Sequence, residues 1–150
     1  MNTAICNYLL LVCCFGSFAF AKAQTTPTPQ SAIQTFFKAF HARDTLQLRK
    51  HFNQQPVLHS FTVTNNKMTR SSSTIEEFLI GIAAIPSQTN FEERVLNYQV
   101  QVATFIATVS TPYEFYVNER LLHSGTNVFI LVRRDGEWLI DSIADTRIKT

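Results

Sequence analysis

The chain has 150 residues, 45% of them apolar and 16% charged, with a formal net charge of +2. That length holds one domain, and so balanced a charge gives no reason to expect nucleic acid, whose binders meet phosphates with a basic stripe. All three cysteines, Cys6, Cys13 and Cys14, stand near the start, so the remainder has no disulfide and no cysteine metal site.

Leu9–Phe20 is an apolar run too short to span a bilayer comfortably, and Ala21-Lys22-Ala23 before Gln24 has the A-x-A form of a cleavage site. Residues 1–23 therefore read as a secretory signal peptide. The expectation is a periplasmic or secreted protein with no stable membrane span after cleavage. An uncleaved anchor is the alternative, because only the α-amino group supplies positive charge ahead of the apolar run. Cleavage would leave 127 residues of the 150 and, without Lys22, twelve basic against eleven acidic side chains.

Gln24–Gln30 is a polar, proline-punctuated leader, expected to be a disordered tether ahead of a domain over residues 31–150. At its end Thr28-Pro29 carries the N-cap and first-turn chemistry of a helix start. Ile33, Phe36, Phe37 and Phe40 then follow the i, i+3, i+4, i+7 spacing of one buried stripe. The helix is expected to end near Ala42-Arg43-Asp44. Asp44 can cap a second helix, Thr45–Phe52, in which Leu46 and Leu48 need not both be buried, and Pro56 closes that segment. Val57–Thr64 alternates as a half-buried strand, Asn65-Asn66 suits a two-residue hairpin turn, and Lys67–Arg70 returns. Ser73-Thr74-Ile75-Glu76 predicts a capping box with Ser73 as cap. The helix after it places Ile75, Phe78, Leu79 and Ile82 on one face and stops before Pro86.

From Phe91 onward only strand patterns remain. Leu96, Tyr98, Val100 and Val102 alternate with polar residues over one long strand. Another runs from about Thr104 to Val117, and Thr111-Pro112 predicts a bulge or an edge position there. Asn118-Glu119 turns the chain, although glutamate suits a turn with two positive φ angles poorly. Asp135-Gly136 is the better hairpin turn and leads to the last strand, Glu137–Ile148. Helix, helix, hairpin, helix and then four strands make an α+β domain, a curved antiparallel sheet with helices on one face.

The strand after Asn118-Glu119 organises the rest. Leu121, His123, Gly125, Asn127, Phe129 and Leu131 share one face; Leu122, Ser124, Thr126, Val128, Ile130 and Val132 share the other. Both faces are mainly apolar, so both are expected to be covered. His123 and Asn127 lie on the same face about 13 Å apart, a polar pair in an apolar cup of the kind that holds small organic ligands. Gly125 between them leaves room for a ligand or permits a bend. The competing reading makes His123 a core histidine hydrogen-bonded to a neighbour. Asp145 and Arg147 share a face with Ile143 and are expected to form an ion pair at the rim. As pocket residues they would let the Arg147 fork hold a carboxylate or phosphate. Tyr113 and Glu114 point to opposite faces, and Tyr113, with Val109 and Phe115, is the candidate for the cup. The four histidines lie far apart with no H-x-H or H-E-x-x-H spacing, and there is no G-x-S-x-G or glycine-rich phosphate loop. Neither a metal nor a cofactor is expected.

Several stretches carry a resemblance. Phe36-Phe37-Lys38-Ala39-Phe40-His41 with Asp44, Phe91-Glu92-Glu93-Arg94-Val95 and Thr111-Pro112-Tyr113-Glu114-Phe115-Tyr116 are three of them. His123-Ser124-Gly125-Thr126-Asn127 and Asp145-Thr146-Arg147 complete the set. The chain resembles the nuclear transport factor 2-like superfamily, and within it the exported bacterial proteins of the lumazine-binding type. It departs from them at Asn118-Glu119, where a glycine turn is usual, and at Ser124 and Thr126. The resemblance implies a cone-shaped, cystatin-like α+β domain enclosing a ligand pocket, with His41 and Asp44 reaching its mouth. Related ketosteroid isomerases use an aspartate base with two donors at the oxyanion, one a tyrosine; Asp44, His41 and Tyr113 are loose counterparts. A small-molecule-binding protein is therefore the first expectation. A cofactor-free isomerase, dehydratase or cyclase with a His/Asp acid–base pair is the second. Leu122, Val128, Ile130 and Val132, pointing away from the cup, would form an apolar patch suited to a homodimer.

Overall fold

The computed structural model describes residues 27–149; the stretch read as a signal peptide and most of the expected leader lie outside the described residues. The elements are α1 (Pro29–His41), α2 (Thr45–Lys50), β1 (Phe52–Thr64), β2 (Lys67–Ser73), α3 (Ile75–Ala83), β3 (Phe91–Val95), β4 (Gln99–Ala103), β5 (Ile106–Val117), β6 (Arg120–Arg134) and β7 (Glu137–Lys149). The strands form one curved sheet in the order β2-β1-β7-β6-β5-β3, with β4 also on β5. All neighbours are antiparallel except β1 and β7, which run parallel. The long excursion of chain between those two supplies the crossover that parallel pairing requires.

The first helix starts at Pro29, so Pro29 and Gln30 belong to the folded domain and not to the leader. The Thr28 hydroxyl accepts from the Ser31 N–H while the Ser31 hydroxyl accepts from the Thr28 N–H, which satisfies two otherwise orphaned donors. The helix buries Ile33, Phe36, Phe37 and Phe40 on the concave side of the sheet. There Phe36 and Phe37 set ring edges against Phe129 at 5.7 and 5.9 Å, and Phe40 meets Phe91 at 5.1 Å. Phe52 and Phe78 extend the cluster at 6.1 Å from each other. Edge-to-face packing of this kind adds about 0.5–1.5 kcal/mol per pair beyond area burial.

Four boundaries differ from the sequence expectation, each for a local reason. Helix α2 ends at Lys50, and Phe52 opens β1, which continues through Pro56; pairing to β7 lapses between Phe52 and Val57. A proline there forfeits no ladder bond. Within α2, Leu48 is buried and Leu46 exposed. The second capping box lies one residue later than the pattern suggests, Thr74 with Glu77, because Ser73 is still paired to Leu58 in the sheet. The long strand expected around Leu96–Val102 is broken into β3 and β4. Conversely, β5 runs unbroken through Pro112 in the sheet interior rather than at an edge. Pro112 lies opposite the gap between β3 and β4, where its carbonyl accepts from Leu96 N–H at 2.9 Å. The interruption that proline demands is made in the neighbouring strand.

The hairpin turns Asn65-Asn66, Asn118-Glu119 and Asp135-Gly136 all have positive φ at both positions, Glu119 included at φ 64°. Next to the second turn the β5–β6 register slips between Phe115 and Tyr116, and Leu122 is the extra residue. Leu122 consequently lines the concave side and does not join Val128, Ile130 and Val132 on the convex face. Its place there is taken by β1, whose Val57 lies in register across β7 with Ile130.

Candidate functional site

Helices α1 and α3 do not close fully on the sheet. Between them lies a cavity of about 440 Å³, within the size range of small-molecule sites. Phe36, Phe37, Phe40, Phe78 and Ile82 form its helical wall; Glu93, Tyr113, His123, Asn127, Asp145 and Arg147 supply the polar groups of the sheet wall. Five of the seven residues expected at a site thus line one cup: His123, Asn127, Tyr113, Asp145 and Arg147.

The group at its centre is Glu93, to which the sequence pattern alone assigned no role. Strand parity places it. Phe91, Glu93 and Val95 share the inner face, Phe91 and Val95 in the core and Glu93 at the cup, while Glu92 and Arg94 face outward and pair at 2.8 Å. The Asn127 amide donates to Glu93 Oε1 at 2.6 Å and to Thr111 Oγ1 at 3.2 Å. Asn127 and Thr111 are both buried, so the amide is fixed between two acceptors. Burial pushes the Glu93 carboxyl up to about 7; the Asn127 hydrogen bond opposes that rise, Asp145 adds to it and Arg147 subtracts. A carboxyl in such a site exchanges its proton near neutrality.

Asp145 and Arg147 form the expected pair, Nε to Oδ2, at 2.7 Å. The Ser60 hydroxyl, from β1, donates to the other Asp145 oxygen. The carboxylate is buried, while the Arg147 side chain is 48% exposed, so the guanidinium reaches from the cup wall to the rim. Tyr113 donates its hydroxyl to the Thr146 carbonyl at 2.9 Å; burial first, then Glu93 and Asp145, push its ionisation well above the usual phenol range. His123 stacks on Phe115 at 4.9 Å and stands edge-on to Tyr113 at 5.8 Å. Burial, Arg147 and Lys149 lower its pKa against the opposing effect of Asp145, so the ring is neutral at pH 7. Gly125 does not make room for a ligand. A Cβ there would fall 1.8 Å from the Thr146 carbonyl oxygen and 3.0 Å from the Tyr113 hydroxyl; the glycine accommodates the bond that holds Tyr113.

His41 and Asp44 do not line the cavity. The His41 ring accepts from the Glu93 backbone N–H at 3.0 Å, behind the cup wall, and desolvation lowers its pKa against the opposing pull of Glu92. Asp44 is exposed and spends its carboxylate on the Gln47 N–H at 2.9 Å, capping α2. The His41/Asp44 acid–base pair is therefore not assembled; the cup holds Glu93 instead. Among the described residues no cluster of three or more histidine, cysteine or acidic side chains could hold a metal ion, and no helix is long and apolar enough to cross a membrane.

No protein-family model and no curated protein matches the chain, but solved structures do. One is a nuclear transport factor 2-like protein of unknown function from Shewanella baltica, at 17% identity and TM-score 0.56 over 81% of this chain and 91% of that one. A second is a candidate ketosteroid isomerase from Parabacteroides distasonis, at 15% identity and TM-score 0.60 over 85% and 93%. A third is the beta subunit of a candidate aromatic-ring-hydroxylating dioxygenase from Novosphingobium aromaticivorans, at 12% identity and TM-score 0.63 over 81% and 90%. At such identities the likeness is one of shape, and the shape is plain: the protein has the nuclear transport factor 2-like α+β fold.

Proposed function

We propose that the protein binds a small, partly aromatic organic molecule in the cup, where Glu93 and Asn127 orient it. The observation that carries this reading is a carboxyl hydrogen-bonded to a buried amide in the wall of an otherwise aromatic cavity. A core built for stability alone gains nothing from an acidic group held there. A ligand screen by thermal shift, with flat heteroaromatics such as lumazines among the compounds, tests it. A ligand present at one hundred times its dissociation constant stabilises by about 2.7 kcal/mol. Hits that bind Glu93→Gln and Asn127→Ala as well as the unaltered chain would refute the site.

A second reading is supported by the same carboxyl. With an ionisation near neutrality and a place in the wall of the cavity, Glu93 has the properties of a proton-transfer base, as a cofactor-free isomerase, dehydratase or cyclase requires. Exchange of solvent deuterium into a bound ligand, lost in Glu93→Gln, would separate an enzyme from a binder. No exchange into any ligand with an acidic C–H leaves the binding protein.

The convex face supports a homodimer. Val57, Val128 and Ile130 are 48%, 40% and 39% exposed on one side of the sheet, and burying the part of each that still meets water contributes about 1 kcal/mol. Light scattering at tens of micromolar should give twice the chain mass, and Val128→Lys should halve it; a single-chain mass for the unaltered protein would end the proposal. Export rests on Leu9–Phe20 and Ala21-Lys22-Ala23, and recovery of a chain beginning at Gln24 outside the cytoplasm tests it.

A further inference from the structure

The charges around the cavity are unequal. Glu77 at the mouth, Glu93 and Asp145 bring three carboxyl groups to the lining, against the single guanidinium of Arg147. His123 adds no charge at pH 7, because burial and the neighbouring Arg147 hold it neutral. Asp145 and Arg147 compensate each other through their 2.7 Å bond, and Arg147 stands half in water. That leaves Glu77, whose carboxylate accepts from the Thr74 N–H at 2.8 Å as the cap of α3, and Glu93, which has no counter-ion in the cup. One of its oxygens accepts from Asn127; among the described residues no side chain donates to the other. Opposite stand the rings of Phe36, Phe37, Phe40 and Phe78, whose faces carry negative electrostatic potential and attract cations.

We propose, on the ligand-binding reading above, that the occupant of the cup is an organic cation: an arylalkyl or alkyl ammonium whose charged end meets Glu93 and whose apolar body lies among the phenylalanine rings. An anion would meet Arg147 only through the nitrogens that its Nε bond to Asp145 leaves free, and would bring a further negative charge beside Glu93 and Asp145. A neutral molecule would leave the ionised form of Glu93 without a counter-ion. A cation supplies the missing partner, and its apolar body lies against the phenylalanine wall.

The same geometry ties binding to pH. The groups around Glu93 are Asn127 of β6, Thr111 and Tyr113 of β5, Asp145 and Arg147 of β7, His41 of α1, and Tyr98 in the β3–β4 connection. Of these, Tyr113 stays protonated. Glu93 titrates near 7, so its ionised form accumulates, and with it the affinity for a cation, as the pH rises through that value.

Three probes sharing one ring system decide the matter: 2-naphthylmethylammonium, 2-naphthylmethanol and 2-naphthoate, titrated calorimetrically into the full chain. The ammonium should bind at least about tenfold more tightly than the alcohol, and the carboxylate most weakly. Affinity for the ammonium should rise roughly thirtyfold between pH 5.5 and 8.5, as expected when only ionised Glu93 binds it. Glu93→Gln should remove both the preference for the ammonium over the alcohol and the pH dependence. Equal or tighter binding of the alcohol or the carboxylate overturns the inference and leaves the cup a ligand site. Binding of none of the three also overturns it, and the wider screen then judges the ligand-binding reading separately. A preference that survives Glu93→Gln overturns it as well. The probe ranking and pH profile of the unaltered chain decide the question even if the variant does not fold.

Discussion

Replacing Glu93 with glutamine tests the electrostatics of the cup without any ligand. The carboxyl moves from an ordinary value of 4.5 to about 7 on folding, chiefly because it leaves water. The folded chain therefore holds this proton more tightly than the unfolded chain. Its contribution to stability is complete below pH 4.5, is lost as the pH rises towards 7, and is absent above. The displacement corresponds to about 3 kcal/mol, a large share of the total stability of a domain this size. Glutamine is close to isosteric, keeps an oxygen for the Asn127 amide and does not ionise. Urea unfolding of both proteins at pH 5 and pH 8 isolates the effect, since other titrating groups are common to the two. The advantage of Glu93→Gln should grow by about 2–3 kcal/mol between these values. A difference that stays constant within about 0.5 kcal/mol would mean that Glu93 is solvated and ionised throughout, and the account of the cup would fail at its centre.

Gly125→Ala should destabilise by about 2–5 kcal/mol, combining overpacking against the Thr146 carbonyl with loss of the Tyr113 bond; a cost under about 1 kcal/mol would show that the strand yields easily. Phe129→Ala, at a ring that is 1% exposed and touched by Phe36 and Phe37, should cost about 3–5 kcal/mol in urea unfolding. A loss below about 1.5 kcal/mol would contradict the packing described. In an NMR titration His123 should show a midpoint below 6.5, and Asp145→Asn should lower it further, because Asp145 is the one neighbour favouring the charged ring. A midpoint that rises in the variant would place His123 elsewhere.

Periodicity determined much of this protein directly. The α1 stripe, the three hairpin turns and the facing of His123 and Asn127 on one side of β6 follow from local rules of helix and strand geometry, and hence so does an α+β domain with a polar pair in its cup. Glu93 was legible by the same rule, since Phe91, Glu93 and Val95 alternate with Glu92 and Arg94. What concealed it was its resemblance to a surface charge cluster, and nothing local shows that β3 is covered by a helix. Asp44 caps α2, as its sequence position allowed, and its carboxylate is thereby kept from the cavity. Two further points depended on the assembled sheet. Pro112 lies in an interior strand because the gap falls in its neighbours. Leu122 turns inward because a register slip next to the Asn118-Glu119 turn inserts one residue. Ser60 belongs with these, since it reaches Asp145 only through the parallel pairing of β1 with β7. Strand alternation is a property of a few consecutive residues, whereas register, coverage and charge pairing join residues far apart in the chain, and only packing brings those together.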